Sequence, residues 1–122
     1  VFYLWHFQDS IGKKKLIDSI DIYQSLLSNG TSINLILIYL FRLYEFIYNH
    51  INNNKIMTNN FAINKIIQSR INIYSKKYSI DEIENIILKL KELDFLSKNS
   101  SINISNSSRC FISNICKGYY ER

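Results

Sequence analysis

A chain of 122 residues has enough surface for one hydrophobic core, burying roughly two thirds of what the unfolded chain exposes, and too little for two. Its 47% hydrophobic and 20% charged content is a globular balance and excludes a disordered acidic or basic tail. The net charge of +5 is scattered, with Lys13, Lys14 and Lys15 as a run and Lys76 with Lys77 as a pair, so charge alone does not demand a nucleic-acid partner.

We therefore read residues 1–122 as a single domain. Two cysteines, Cys110 and Cys116, are too few for a disulfide framework. No signal-peptide pattern is visible, and a cytoplasmic location follows as the default. Val1 in place of Met points to a piece of a longer chain. The lack of proline and the abundance of Ile, Asn, Lys and Tyr are the imprint of AT-rich codons. Periodicity is accordingly the safer guide than residue identity.

In chain order, Phe2 to Ile11 reads as a short helix bearing Phe2, Trp5 and Phe7, closed by Gly12 in a left-handed turn. From Lys13 the set Leu16, Ile20, Tyr23 and Leu27, widened by Ile17 and Leu26, keeps helical spacing, with Asp18, Asp21 and Ser25 opposite. This second helix stops at Ser28, Asn29 and Gly30, and Thr31 or Ser32 offers a cap for the next. Ile33 to about Asn52 is apolar on nearly every side and reads as the central helix, its polar stripe being Arg42, Glu45 and Asn49. Arg42 and Glu45 interrupt it well short of the roughly 20 apolar residues a membrane span needs.

Asn52 to Lys55 forms a polar link, and Met57 to Phe61 is expected to hold one short helical turn. Ile63, Ile66, Ile67, Ile71 and Tyr74 continue the helical period to about Tyr78. Ser79-Ile80-Asp81-Glu82 has the form of a capping box, opening a helix with Ile83, Ile86, Ile87, Leu90 and Leu93. After a polar stretch from Asn99 to Ser108, a last helix carries Phe111, Ile112, Ile115 and Tyr119. No strand alternation occurs. The expected fold is all-α, an antiparallel bundle of five or six helices.

The chemistry-bearing residues are sparse. Three isolated glycines cannot form a phosphate loop, and no cofactor or metal is expected. Cys110 and Cys116 lack a C-x-x-C partner and read as structural. Asp81, Glu82 and Glu84 crowd a helix start, where capping and the helix dipole explain them, while Asp18 and Asp21 read as solvated. Trp5 and Phe7 beside Lys13, Lys14 and Lys15 are the candidates for DNA contact, because rings stack on bases and lysines neutralise phosphate. The competing reading makes the rings core or interface anchors.

The order of these elements resembles the C-terminal domain of the delta subunit of bacterial DNA polymerase III. The resemblance is carried by Trp5 to Gly12 with Asp9, by the turn ending at Gly30, by the apolar helix with Arg42, and by Tyr78-Ser79 opening a helix that ends with Asp94 and Lys98. It continues into the last helix, Phe111 to Tyr119. The link after Asn52 matches least, and Ile33 stands where many relatives have proline.

The resemblance implies a helical collar domain of the clamp loader, packed beside the motor subunits and delta-prime. The sliding clamp is then engaged only through N-terminal domains outside this chain. Primed DNA is a possible contact, because in relatives an aromatic near the start of this domain lies close to the primer-template junction, and the matching positions are Trp5 and Phe7. The parent assembly is a DNA-directed DNA polymerase, a nucleotidyltransferase, but no catalysis is expected of these residues. The alternative is a free-standing helical nucleic-acid-binding domain.

Overall fold

The computed structural model describes residues 1–53 and 61–121, and the helical turn expected at Met57 to Phe61 falls largely outside them. The all-α expectation holds. Seven helices form among the described residues: α1 (Leu4–Gly12), α2 (Leu16–Ser28), α3 (Ile33–Ile51), α4 (Lys65–Ser69), α5 (Ile71–Ser75), α6 (Ile80–Asn99) and α7 (Ile104–Cys116).

Five of them pack in a closed circuit, α1 on α2, α2 on α7, α7 on α6, α6 on α3, and α3 back on α1. The short α4 rests on α1 and α5 on α3. Inside the circuit lie Phe7, Ile11, Tyr23, Leu40, Tyr44 and Ile86, with Phe111 and Ile115 from the far side, all fully or almost fully buried. The apolar stripes read at helical spacing are what close this core.

Several details depart from the sequence expectation. The single helix expected up to Tyr78 is divided at Arg70, whose backbone leaves helical geometry (φ −103°, ψ 11°) while its guanidinium reaches Asp9 on α1. The last helix begins a full turn or more earlier, at Ile104, because the Asn103 side chain accepts the Asn106 N–H and caps it. It ends at Cys116, which leaves Tyr119 beyond it and exposed.

The buried face of α2 is centred on Ser19, Ile22, Tyr23 and Leu26, and Ile17 is 74% exposed. Ser19 is tolerated inside because its hydroxyl donates to Ser10 Oγ at 3.2 Å, which in turn donates to the Phe7 carbonyl. Nor is α3 wrapped on all sides, since Leu35 and Ile38 point outward.

Turn chemistry also differs from the expected form. Gly12 does not supply the left-handed turn: that residue is Lys14, at φ +57°. The N–H of Lys15 bonds the Ser10 carbonyl and that of Lys14 the Ile11 carbonyl, a Schellman closure with a non-glycine at its left-handed position. Gly30, at φ +93°, closes α2 the same way, as expected for a glycine there. Gly12 has another cause, since a Cβ there would lie 2.6 Å from the Tyr74 ring.

Candidate functional site

The residues expected to touch DNA do not form one surface. Trp5 sits half-buried on the first turn of α1, its indole stacked on His6 at 3.9 Å between ring centroids. His6 Nδ1 is fixed by the Tyr3 N–H at 2.8 Å. With Tyr3, Tyr39 and Asn64, Trp5 lines a shallow depression of about 520 Å³. Phe7, by contrast, is 0% exposed against Tyr23 in the core, which removes it as a contact residue.

The lysine run lies at the other end of α1, about 12 Å along the axis from Trp5. Lys13 pairs with Asp9 at 3.1 Å. Lys14 points inward, to Glu82 Oε2 at 2.6 Å and Glu121 Oε2 at 3.0 Å, with its ammonium over the Tyr78 ring. Of the run, Lys15 alone is exposed, at the N-cap of α2. The expected corner of aromatics and lysines is thus divided, because the lysines at the end of α1 are spent on ion pairs within the fold.

Those ion pairs make a polar seam that ties the helices together. Asp9 accepts the Tyr74 hydroxyl at 2.6 Å and Arg70 at 3.0 Å on Oδ1, and Lys13 on Oδ2. Burial raises the Asp9 pKa, but the bonds from Tyr74, Arg70 and Lys13 outweigh it and leave the carboxyl below its ordinary value. Glu82 is 1% exposed and does two things at once, closing the capping box with Ser79 and neutralising Lys14. Tyr78 donates its hydroxyl to the Ile11 carbonyl, so the Tyr44 hydroxyl at 2.9 Å must donate to Tyr78. Burial holds both phenols well above their ordinary range, which keeps them protonated donors. Together these bonds join α1, α3, α5 and α6.

A groove of about 750 Å³ lies between α3 and α6. Its apolar surface comes from Leu37, Ile38 and Phe41 on α3, Leu90 on α6, and Phe61. Ile38 and Phe61 are 46% and 49% exposed there. Around it stand Asn34, Arg42, Lys91, Asp94 and Lys98. Arg42 donates to Glu45 at 3.0 Å, and Lys98 to Asp94 at 3.1 Å.

Three positions of the family resemblance, Arg42, Asp94 and Lys98, are therefore brought to one groove although they lie on two helices. The other two are elsewhere: Asp9 anchors the polar seam, and Gly30 closes α2. Sequence reading missed the groove. The apolar character of its α3 wall is legible in the sequence, but which side of α3 lies against α6 is not.

Neither cysteine forms a disulfide. Cys116 matches the structural expectation, packed against the core with Sγ 3.7 Å from Ser19 Oγ, and burial pushes its thiol pKa up. Cys110 does not match it, because it is exposed on α7. Among the described residues no three His, Cys, Asp or Glu side chains gather as metal ligands, and no helix is long and apolar enough to cross a membrane. No family model, curated protein or solved structure matches the chain.

Proposed function

We propose that this chain is an assembly module in DNA replication: the C-terminal collar domain of a clamp-loader delta subunit of the DNA polymerase III kind. The observation that carries the reading is the α3–α6 groove, where Arg42, Asp94 and Lys98 meet around exposed Ile38 and Phe61. A module that works by packing beside other subunits needs such an apolar outer surface. In this reading α1, α2, α3, α6 and α7 are the antiparallel collar bundle. The motor subunits and delta-prime are its neighbours, and the sliding clamp is reached only through the N-terminal domains of the whole subunit. It is a cytoplasmic protein without catalysis or cofactor of its own, and Trp5 is the one aromatic candidate left for primed DNA.

The test is to mix the full-length protein with clamp-loader motor and delta-prime subunits and follow size-exclusion chromatography with light scattering. A stable co-eluting complex is the expected result. A protein that ignores those subunits yet binds DNA in low salt, with affinity falling steeply as salt rises, replaces this reading with the free-standing nucleic-acid-binding domain.

A further inference from the structure

We infer that His6 is a pH-sensitive latch on the start of α1: the neutral ring closes the first turn and holds Trp5 in place, and the protonated ring opens that turn and frees Trp5, Tyr3 and Phe2. This latch stands apart from the collar reading, since it needs only the residues at the head of α1.

It is built from one reciprocal pair. His6 is the third residue of α1, the position from which a capping box returns a bond to the residue before the helix. Its Nδ1 accepts the Tyr3 N–H at 2.8 Å, while the His6 N–H donates to the Tyr3 carbonyl at 3.0 Å. Nδ1 accepts only while it carries no proton, so the closed turn requires the neutral ring with its proton on Nε2. Glutamate or glutamine, the usual residues at this position, remain acceptors in mild acid. Imidazole instead becomes a donor at both nitrogens between about pH 8 and 5.

Protonation then works against the turn twice. The Tyr3 N–H loses its acceptor and faces a second donor, and a positive charge appears at the helix end where the peptide dipoles already place one. A cation over the Trp5 face is attracted to that ring, but the attraction holds ring to ring and does not restore the backbone bond. Among the described residues no carboxylate makes an ion pair with His6. Asp9, one turn on, is engaged by Tyr74, Arg70 and Lys13. Of the helices packed against α1, α3 brings Tyr39 to the depression beside Trp5, and α4 begins with Lys65 next to Asn64 of the same depression. Tyr23 of α2 is turned to Phe7, and Cys116 of α7 to Ser19. Val1 is fully exposed.

Burial limits how far the opening runs. Phe2 and Tyr3 are 41% and 64% exposed, and their rings rest on His6 at 5.6 and 5.8 Å between centroids. Trp5 stacks on it at 3.9 Å. These three rings therefore depend on His6 for their places, whereas Phe7 is 0% exposed and fixes the following residue in the core. The latch thus changes the depression that Trp5 shares with Tyr39 and Asn64 and leaves the bundle closed.

The experiment compares the full-length protein at pH 8 and pH 5. Protection of the His6 N–H against hydrogen exchange is read by NMR, corrected for the intrinsic pH dependence of exchange, and is expected to fall about fivefold as the turn opens. Acrylamide quenching of Trp5, taken as the difference in emission from Trp5→Phe, is expected to rise over the same range. His6→Gln keeps a neutral acceptor and is expected to hold the turn closed at both pH values, with folding checked by circular dichroism. His50→Gln, at the far end of α3, is expected to behave as wild type. Equal protection of the wild-type turn at both pH values overturns the inference. So does a pH response that persists in His6→Gln, which assigns it to another group. A change in Trp5 emission with no change in acrylamide access or exchange also overturns it, because it reports an imidazolium quenching a ring that has not moved.

Discussion

Asp9 shows how much one side chain holds together. Its carboxylate joins α1 to Arg70 and to Tyr74 of α5, and its pKa is lowered in the folded state. A depressed folded pKa contributes stability above the unfolded value and loses it as pH falls through the folded one. Wild-type protein is therefore expected to lose stability as pH drops below about 4, and Asp9→Asn to show a flatter acid limb in urea denaturation across pH. At pH 7 the same substitution is expected to cost about 1–2 kcal/mol, solvent screening of the partly exposed pairs being included. Phe7→Ala belongs to another class, for it empties a fully buried site. A loss of about 3–5 kcal/mol in the same assay is expected. Gly12→Ala forces a methyl against a ring that is itself 0% exposed, and should cost about 1–3 kcal/mol although no left-handed backbone is involved.

Helix ends decide the elements. Ser79 accepts the Glu82 N–H at 3.1 Å, and Glu82 returns a bond to the Ser79 N–H, so the start of α6 was legible as a local pattern. Ser79→Ala is expected to lower stability by about 1 kcal/mol, read as a shift in the thermal midpoint. The α1–α2 turn followed a different rule. Lys14 adopts a backbone that costs it about 1–2 kcal/mol, and its ammonium offsets this by neutralising buried Glu82. Lys14→Gly should relax the turn yet destabilise the protein by about 2 kcal/mol, because it leaves a buried carboxylate without its cation. Neither this nor the break at Arg70 can be read locally, since the partners of Lys14 and Arg70 are distant in sequence. The early start of α7 was hidden for a simpler reason. The Asn- and Ser-rich stretch looked like a loop, while Tyr23 from α2 donates to the Ser105 carbonyl at 2.8 Å and docks that first turn.

At the scale of the molecule, closing five helices into one circuit leaves apolar side chains exposed, and two of them, Ile38 and Phe61, line the groove between α3 and α6. Under the proposed function, assembly and DNA contact would use separate surfaces, because Trp5 lines a different depression, beside Tyr39 and Asn64. If Trp5 stacks near a primer-template junction, Trp5→Ala in the full subunit should weaken primed-DNA binding about tenfold while leaving the melting profile and the co-assembly intact. Unchanged DNA affinity would reduce Trp5 to a ring packed on His6. Ile38→Asp should do the opposite, sparing DNA affinity measured on the free protein and weakening assembly.

The sequence by itself determined the helical class, the principal apolar stripes, the cap at Ser79 and the glycine turn at Gly30. These rest on contacts within a few residues, where spacing and side-chain type are sufficient causes. Tertiary structure alone decided that Phe7 is core, that Lys14 is turned inward, that Gly12 makes room for Tyr74, and that Arg42, Asp94 and Lys98 meet at one groove. Each of those outcomes depends on which helix lies opposite, and burial along α3 could be judged only once its neighbours were in place, with Leu40 and Leu43 fully covered and Ile38 left half-exposed.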